Sequence, residues 1–256
     1  MRRAIALLLA TTLLLPGLSA PAKAHTRWRP RMDPAAEYAQ ARDGSVSIAV
    51  MDTEGRMHRW RGAGKVPMAS VLKVMFMVAY LRQPAVRDRK LRDADRDLLR
   101  PMIRRSDNDS ATTIANRLGP KPLYRLARRA DMHEFSYTRP WGLSTTSARD
   151  QARFMARLRR HIPNRHEPYA MGLLNDIVPS QRWGIGKVDT PRWRKHFKGG
   201  WGSGTGWVDH QVVRLQRRDG TRVGLAVMVR NSPSHTYGKR TLRGVFARLL
   251  RDLPET

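Results

Sequence analysis

The sequence predicts an α+β fold: an antiparallel sheet drawn from both chain ends, with an all-helical subdomain inserted between them. Three observations carry this. Residues 45–61 hold two strand signals around a tight turn, helical spacing dominates from Ser70 to about Ile177, and strand signals return from Val208 to Val229. Strands at both ends of a chain with helices between them pack as one α+β domain when the terminal strands share a sheet.

The chain opens Met1-Arg2-Arg3, runs apolar from Ala4 to Leu15 and reaches Ala22-Lys23-Ala24 before His25. A positive start, a short apolar core and a small-x-small site mark residues 1–24 as a secretory signal peptide. A membrane anchor competes, but Pro16, Gly17 and Pro21 interrupt the apolar stretch. Residues 25–42 are polar and proline-bearing. They read as a linker leading into a short helix near 34–42, and residues 43–256 form the domain, helical over about 70–180.

Within the domain, residues 45–52 alternate in part and carry β-branched side chains, Thr53-Glu54-Gly55-Arg56 is a turn, and 57–61 return as a second strand. Residues 70–81 turn apolar and helical. Helical spacing follows over 91–100, where Pro101 either kinks the helix or starts another, then over 109–118, 122–129, 147–160 and 169–177. Residues 133–146 are irregular, with Pro140, Gly142 and a Ser/Thr cluster. Residues 208–215 and 223–229 form a strand pair around Arg218-Asp219-Gly220-Thr221, and 241–253 a closing helix. There is no internal repeat.

The 256 residues carry 49 Lys and Arg against 21 Asp and Glu, a formal charge of +28. Loss of residues 1–24 removes Arg2, Arg3 and Lys23 and no acid, leaving +25. Such a charge attracts polyanions. For an exported chain these are anionic cell-wall polymers or membrane surfaces; the alternative, equally open, is a solvated basic surface that simply follows an arginine-rich composition. Nucleic acid is not expected, because the basic residues are scattered and no nucleic-acid motif is present. With no cysteine, neither disulfides nor a thiol-linked lipid hold this protein. The eight histidines include no His-Glu-x-x-His spacing, so no metal or other cofactor is expected.

Ser70 is followed three residues later by Lys73, at the start of the apolar run. On a helix these positions share a face. A serine hydroxyl needs an adjacent base to become a nucleophile, and a lysine serves only if burial or nearby cations lower its pKa. Met68, Val71, Leu72, Val74, Met75 and Met77 can supply that burial. Two further stretches, Ser106-Asp107-Asn108 and Lys198-Gly199-Gly200-Trp201, would alone read as a helix cap and a basic glycine turn.

In this order the three stretches resemble the serine β-lactamases and penicillin-binding proteins, which carry Ser-x-x-Lys, Ser-Asp-Asn and Lys-Thr/Ser-Gly. The resemblance is nearest to class A β-lactamase-like serine hydrolases and spans about residues 45–253. It implies Ser70 as nucleophile, Lys73 as proton acceptor, Ser106 as proton relay and Asn108 as a holder of Lys73 and substrate. Lys198 would add positive potential, lowering the Lys73 pKa and attracting a substrate carboxylate. The backbone N–H groups of Ser70 and Trp201 would form the oxyanion hole, with Gly199 and Gly200 binding substrate. The expected protein is a secreted or wall-associated monomer acting on a β-lactam or a peptidoglycan-derived amide. A non-catalytic wall-binding relative that keeps the fold is the alternative.

The chain also departs from the family pattern. Gly199 lacks the usual hydroxyl, and Trp201 stands where a small residue is common. Class A enzymes use an omega-loop glutamate to activate the deacylating water. Between Ala130 and Thr146 the only glutamate is Glu134, which reads as a solvated surface residue, and Glu167 comes too late in the chain. The Ser70–Ser106 spacing is short for the family. Slow deacylation is therefore expected.

Overall fold

A computed structural model describes residues 28–202, 204 and 207–254; the expected signal peptide lies outside them. Helix α1 (Met32–Gln40) precedes strands β1 (Ser45–Met51), β2 (Met57–Trp60) and β3 (Val66–Pro67). Helices α2 (Leu72–Leu81), α3 (Pro84–Arg87), α4 (Asp93–Arg104), α5 (Asn108–Leu118) and α6 (Pro120–Arg129) follow. After β4 (Thr145–Thr146) come α7 (Ala148–Ala156), α8 (Leu158–His161) and α9 (Glu167–Asn175), then β5 (Arg194–Gly202), β6 (Val208–Gln216), β7 (Arg222–Arg230) and α10 (His235–Leu249).

The main sheet has the order β2-β1-β7-β6-β5, with every pairing antiparallel. The N-terminal hairpin thus joins the C-terminal strands through β1–β7, from Ser45 opposite Arg230 to Met51 opposite Gly224. The expected α+β fold is present. A two-residue ladder, β3 with β4, ties residues 145–146 to the chain just before Ser70.

All ten residues of α2 are buried. A helix apolar all round lies inside a core rather than on its surface. Fully burying one such side chain stabilises by about 1.5–3 kcal/mol, so α2 anchors the helical block. α7 covers the sheet so closely that a methyl added at Gly224 of β7 would lie 2.2 Å from the Ala152 carbonyl oxygen and 2.5 Å from the Ala156 nitrogen.

Several boundaries move, for local reasons. The short helix expected near 34–42 is α1, which begins two residues earlier at Met32 and docks Ala35 and Ala39 into the core. Pro101 sits inside one continuous helix, α4. The helix expected over 147–160 is two, divided at Arg157. α10 starts six residues before the apolar spacing does, because the Ser234 side chain accepts from the Tyr237 N–H and caps it. β5 was not expected at all.

Gly224→Leu should be expelled by the α7 backbone. Urea unfolding is expected to show a loss of about 1–3 kcal/mol or more, the usual cost of overpacking, whereas Gly220→Ala at the exposed β6–β7 turn (φ +88°) should register only its backbone strain.

Candidate active site

Ser70 lies in a single 3-10 turn, Ala69–Val71, that runs directly into α2. Ala69 before it has φ +45°, a left-handed conformation that costs a residue with a Cβ about 1–3 kcal/mol. The surroundings hold it: Met68 N donates to the Ser144 carbonyl at 2.7 Å, and His210 Nε2 reaches the Pro67 carbonyl at 2.9 Å. His210 Nδ1 accepts from Val229 N at 3.1 Å, which fixes Nε2 as the donor toward Pro67.

Lys73 follows one turn later and is fully buried. Its Nζ donates to the Ser106 carbonyl at 2.6 Å and to Asn108 Oδ1 at 2.7 Å, and lies 3.2 Å from Ser106 Oγ. Ser106 is left-handed too, at φ +61°, between the end of α4 and Asp107, whose carboxylate caps α5 by accepting from Ser110 N at 2.8 Å. That turn offers both oxygens of Ser106 to one amine.

Lys198 arrives from the sheet edge, also fully buried, and donates to Ser106 Oγ at 2.9 Å and to the Gly199 carbonyl at 2.7 Å. One hydroxyl therefore bridges two lysine amines. Burial lowers the Lys73 pKa to about 7, with Asp107 opposing the shift. Lys198 is lowered well below its ordinary value, first by burial and then by the like charge of Lys73. Burial, rather than the Lys198 charge, is thus the main cause at Lys73. A neutral amine has two N–H groups, which the two carbonyl oxygens take, and its lone pair is left for a hydroxyl.

Side chains alternate across a strand, and β5 uses both faces. Lys198 and Gly200 face the helical block. A methyl at Gly200 would lie 2.8 Å from the backbone nitrogens of both Ser70 and Val71, so only glycine lets the strand approach the Ser70 turn this closely. Gly199 and Trp201 face the other way. A methyl at Gly199 would lie 2.5 Å from the Trp183 ring, and Trp201 packs edge-on to Trp183 at 6.0 Å while stacking on His235 at 5.4 Å. His235 is held by buried Asp209, which also accepts from Ser232 Oγ at 3.3 Å. Where the usual motif has a hydroxyl, this chain has an indole.

The loop before α7 contributes a second indole. Trp141 packs edge-on to Phe76 at 5.8 Å, sits 5.1 Å over Lys73 Nζ and donates from Nε1 to Thr112 Oγ1 at 3.1 Å. Glu134 lies in the same loop, but its carboxylate faces Lys65 at 3.7 Å. Glu167 pairs with Arg159 at 2.8 Å. Among the described residues, no group of three or more acidic or histidine side chains is placed to hold a metal ion.

Residues 95–252 match the profile of the beta-lactamase enzyme family. The chain belongs to that family. This beta-lactamase-family chain also shares its fold with solved enzymes of low identity. A beta-lactamase from Sphaerobacter thermophilus matches at TM-score 0.72 and 19% identity, over 85% of this chain and 95% of that one. A class A beta-lactamase from Mycobacterium abscessus gives 0.71 and 19%, over 86% and 98%. An ancestral class A beta-lactamase gives 0.73 and 18%, over 86% and 98%. Comparison with curated protein sequences found no match. Family and fold together make this a beta-lactamase-type serine hydrolase.

Of the expected set, Lys73, Ser106, Asn108 and Lys198 meet through one hydrogen-bond cluster, Ser70 lies one turn before Lys73 with Gly200 against its backbone, and Gly199 and Trp201 join the aromatic cluster behind β5. Sequence reasoning missed Trp141, Trp183, Asp209, His210 and His235. No spacing flags them, because each meets the site only through tertiary packing.

Asp107→Asn keeps a competent helix cap and removes the one charge that raises the Lys73 pKa. NMR titration of side-chain-labelled lysine should place the Lys73 midpoint below its value of about 7 in the parent. An upward shift would show that burial is not in control.

Proposed function

We propose that this chain is an exported acyl-serine hydrolase that attacks β-lactam or peptidoglycan-like amides through Ser70 and releases the acyl group slowly. The observation that carries the reading is the Ser106 hydroxyl lying 3.2 Å from one buried amine and 2.9 Å from another. A proton relay with a base of pKa about 7 is what an alcohol nucleophile needs near neutral pH.

In this mechanism Ser70 Oγ adds to the amide carbon as its proton passes to the Lys73 lone pair. The oxyanion receives the N–H groups of Ser70 and Trp201, a donor pair of which each typically contributes about 10²–10³ in rate. Collapse breaks the C–N bond. The leaving nitrogen takes the Ser106 hydroxyl proton, and Ser106 regains one from Lys73, so the proton removed from Ser70 ends on the amine product. Asn108 Oδ1 holds Lys73 in place throughout, and Lys198 Nζ orients the Ser106 hydroxyl by donating to its oxygen at 2.9 Å.

Hydrolysis of the ester needs a base for water. The loop near Lys73 brings Trp141, and its one glutamate is engaged at the surface with Lys65, which supports slow deacylation. Export rests on the leader composition, and wall association on the +25 charge of residues 25–256. The Trp183 ring against Gly199 favours a second reading, a relative that binds wall material without turnover. Covalent labelling separates the two.

Mass spectrometry of the full chain with a penicillin should show one adduct on Ser70, absent in Ser70→Ala and persisting long after acylation. Rapid multiple turnover would overturn slow release, and no adduct would favour the non-catalytic reading. Because a base must be unprotonated to act, the acylation rate should fall about tenfold per unit below pH 7 and level off above it. Lys73→Arg, which cannot lose its proton, should lower that rate by about 10²–10⁴.

A further inference from the structure

α2, which the Ser70 turn leads into, ends at one cleft walled by arginine, and α8 lines a second. The first, about 580 Å³, is lined by Arg82, Arg87, Arg125, Arg128 and Arg129 and by no acidic residue. The second, about 210 Å³, is lined by Arg157, Arg159, Arg160, Arg214 and Arg222, again without an acid. α8 joins them. Arg82 donates to the His161 carbonyl at 3.0 Å, and the His161 ring feels Arg82 and Arg129 from one cleft and Arg157 and Arg160 from the other.

Two of these arginines are matched, Arg87 by Asp88 at 2.7 Å and Arg159 by Glu167 at 2.8 Å. Among the described residues, none of the other eight has a carboxylate at ion-pair distance. Arg214 is the sharpest case. Only 3% exposed, it donates to Gln216 Oε1 and to the Met155 and Ala156 carbonyls at the end of α7, while no described residue accepts from its Nη2. Like charges in a solvated surface spread apart. Gathered in clefts, they repel one another, and a bound anion relieves that repulsion.

We propose that this face docks a linear polyphosphodiester whose backbone runs along both clefts. Guanidinium forks match phosphate oxygens two at a time, and two clefts joined by one helix suit a chain rather than a single ion. Neither cleft has an aromatic lining on which a base could stack, as single-stranded nucleic acid would require. The exposed large apolar side chains, Leu143, Trp201 and Trp207, line neither cleft, so the face has nothing to insert into a membrane. This docking is independent of Ser70 chemistry.

The test is binding of fluorescent poly(glycerol phosphate) to the full chain across a salt series. Arg125→Glu/Arg129→Glu and Arg157→Glu/Arg160→Glu should each weaken binding at least tenfold. Each should also reduce the log–log salt slope by about 1.4, near 0.7 per lost phosphate contact. The equal charge change Arg59→Glu/Arg251→Glu, outside both clefts, should cost about threefold or less given screening. Ser70→Ala should bind like the parent. Thermal unfolding checks each variant, and the neutral pairs Arg125→Gln/Arg129→Gln and Arg157→Gln/Arg160→Gln replace any that unfold. The proposal is overturned by no binding at physiological salt or by a control loss equal to the cleft variants'. It also falls if single-stranded DNA or phosphatidylglycerol vesicles bind as tightly as the polymer.

Discussion

Two lysine side chains without solvent exposure share one serine hydroxyl, and the rest of the structure is arranged around that arrangement. Among the described residues neither amine has a carboxylate at ion-pair distance. An unpaired buried ammonium costs several kcal/mol, more than a small domain can carry twice over. The way out is to lose the proton. Burial that would be a defect elsewhere therefore produces a free base, and the fully buried α2 is what sustains it.

Holding the pair together requires three parts of the chain to meet. α2 brings Lys73, the left-handed turn before α5 brings Ser106 and Asn108, and β5 brings Lys198. β5 can do so because it is the last strand of its sheet, with one edge open to the helical block. Its approach is limited by side-chain bulk, which explains Gly200 against the Ser70 turn and Gly199 against Trp183. The two adjacent glycines answer different neighbours on opposite faces. The first glycine stands where the family usually keeps a hydroxyl, and here the Trp183 ring leaves no room for a side chain at that position.

What could be read from the sequence was whatever is local. Ser70 and Lys73 are one turn apart, Ser106 and Asn108 two residues apart, and the hairpin strands carry their own alternation and turn. β5 escaped because its middle reads Lys-Gly-Gly, with low strand propensity, and its extended form comes from pairing with β6 along all nine residues. Trp141 and Trp183 escaped because an isolated aromatic has no periodicity. The division of α7 from α8 at Arg157 escaped because helical spacing continues across it. The start of α10 escaped because a serine cap, not an apolar stripe, sets it.

The large positive charge invites the idea that the whole surface tunes the buried amines. Distance argues otherwise. From Lys73 to Arg82 is nine residues along a helix, about 14 Å at 1.5 Å per residue, and no arginine is among the causes that set the Lys73 pKa. The arginines at the far end of α2 are thus electrically remote from Lys73, whose pKa follows from burial and the nearby Asp107. The surface charge and the buried base are separable in this chain: the Lys73 amine stays free because water is kept from it, and only opening the core would return its proton.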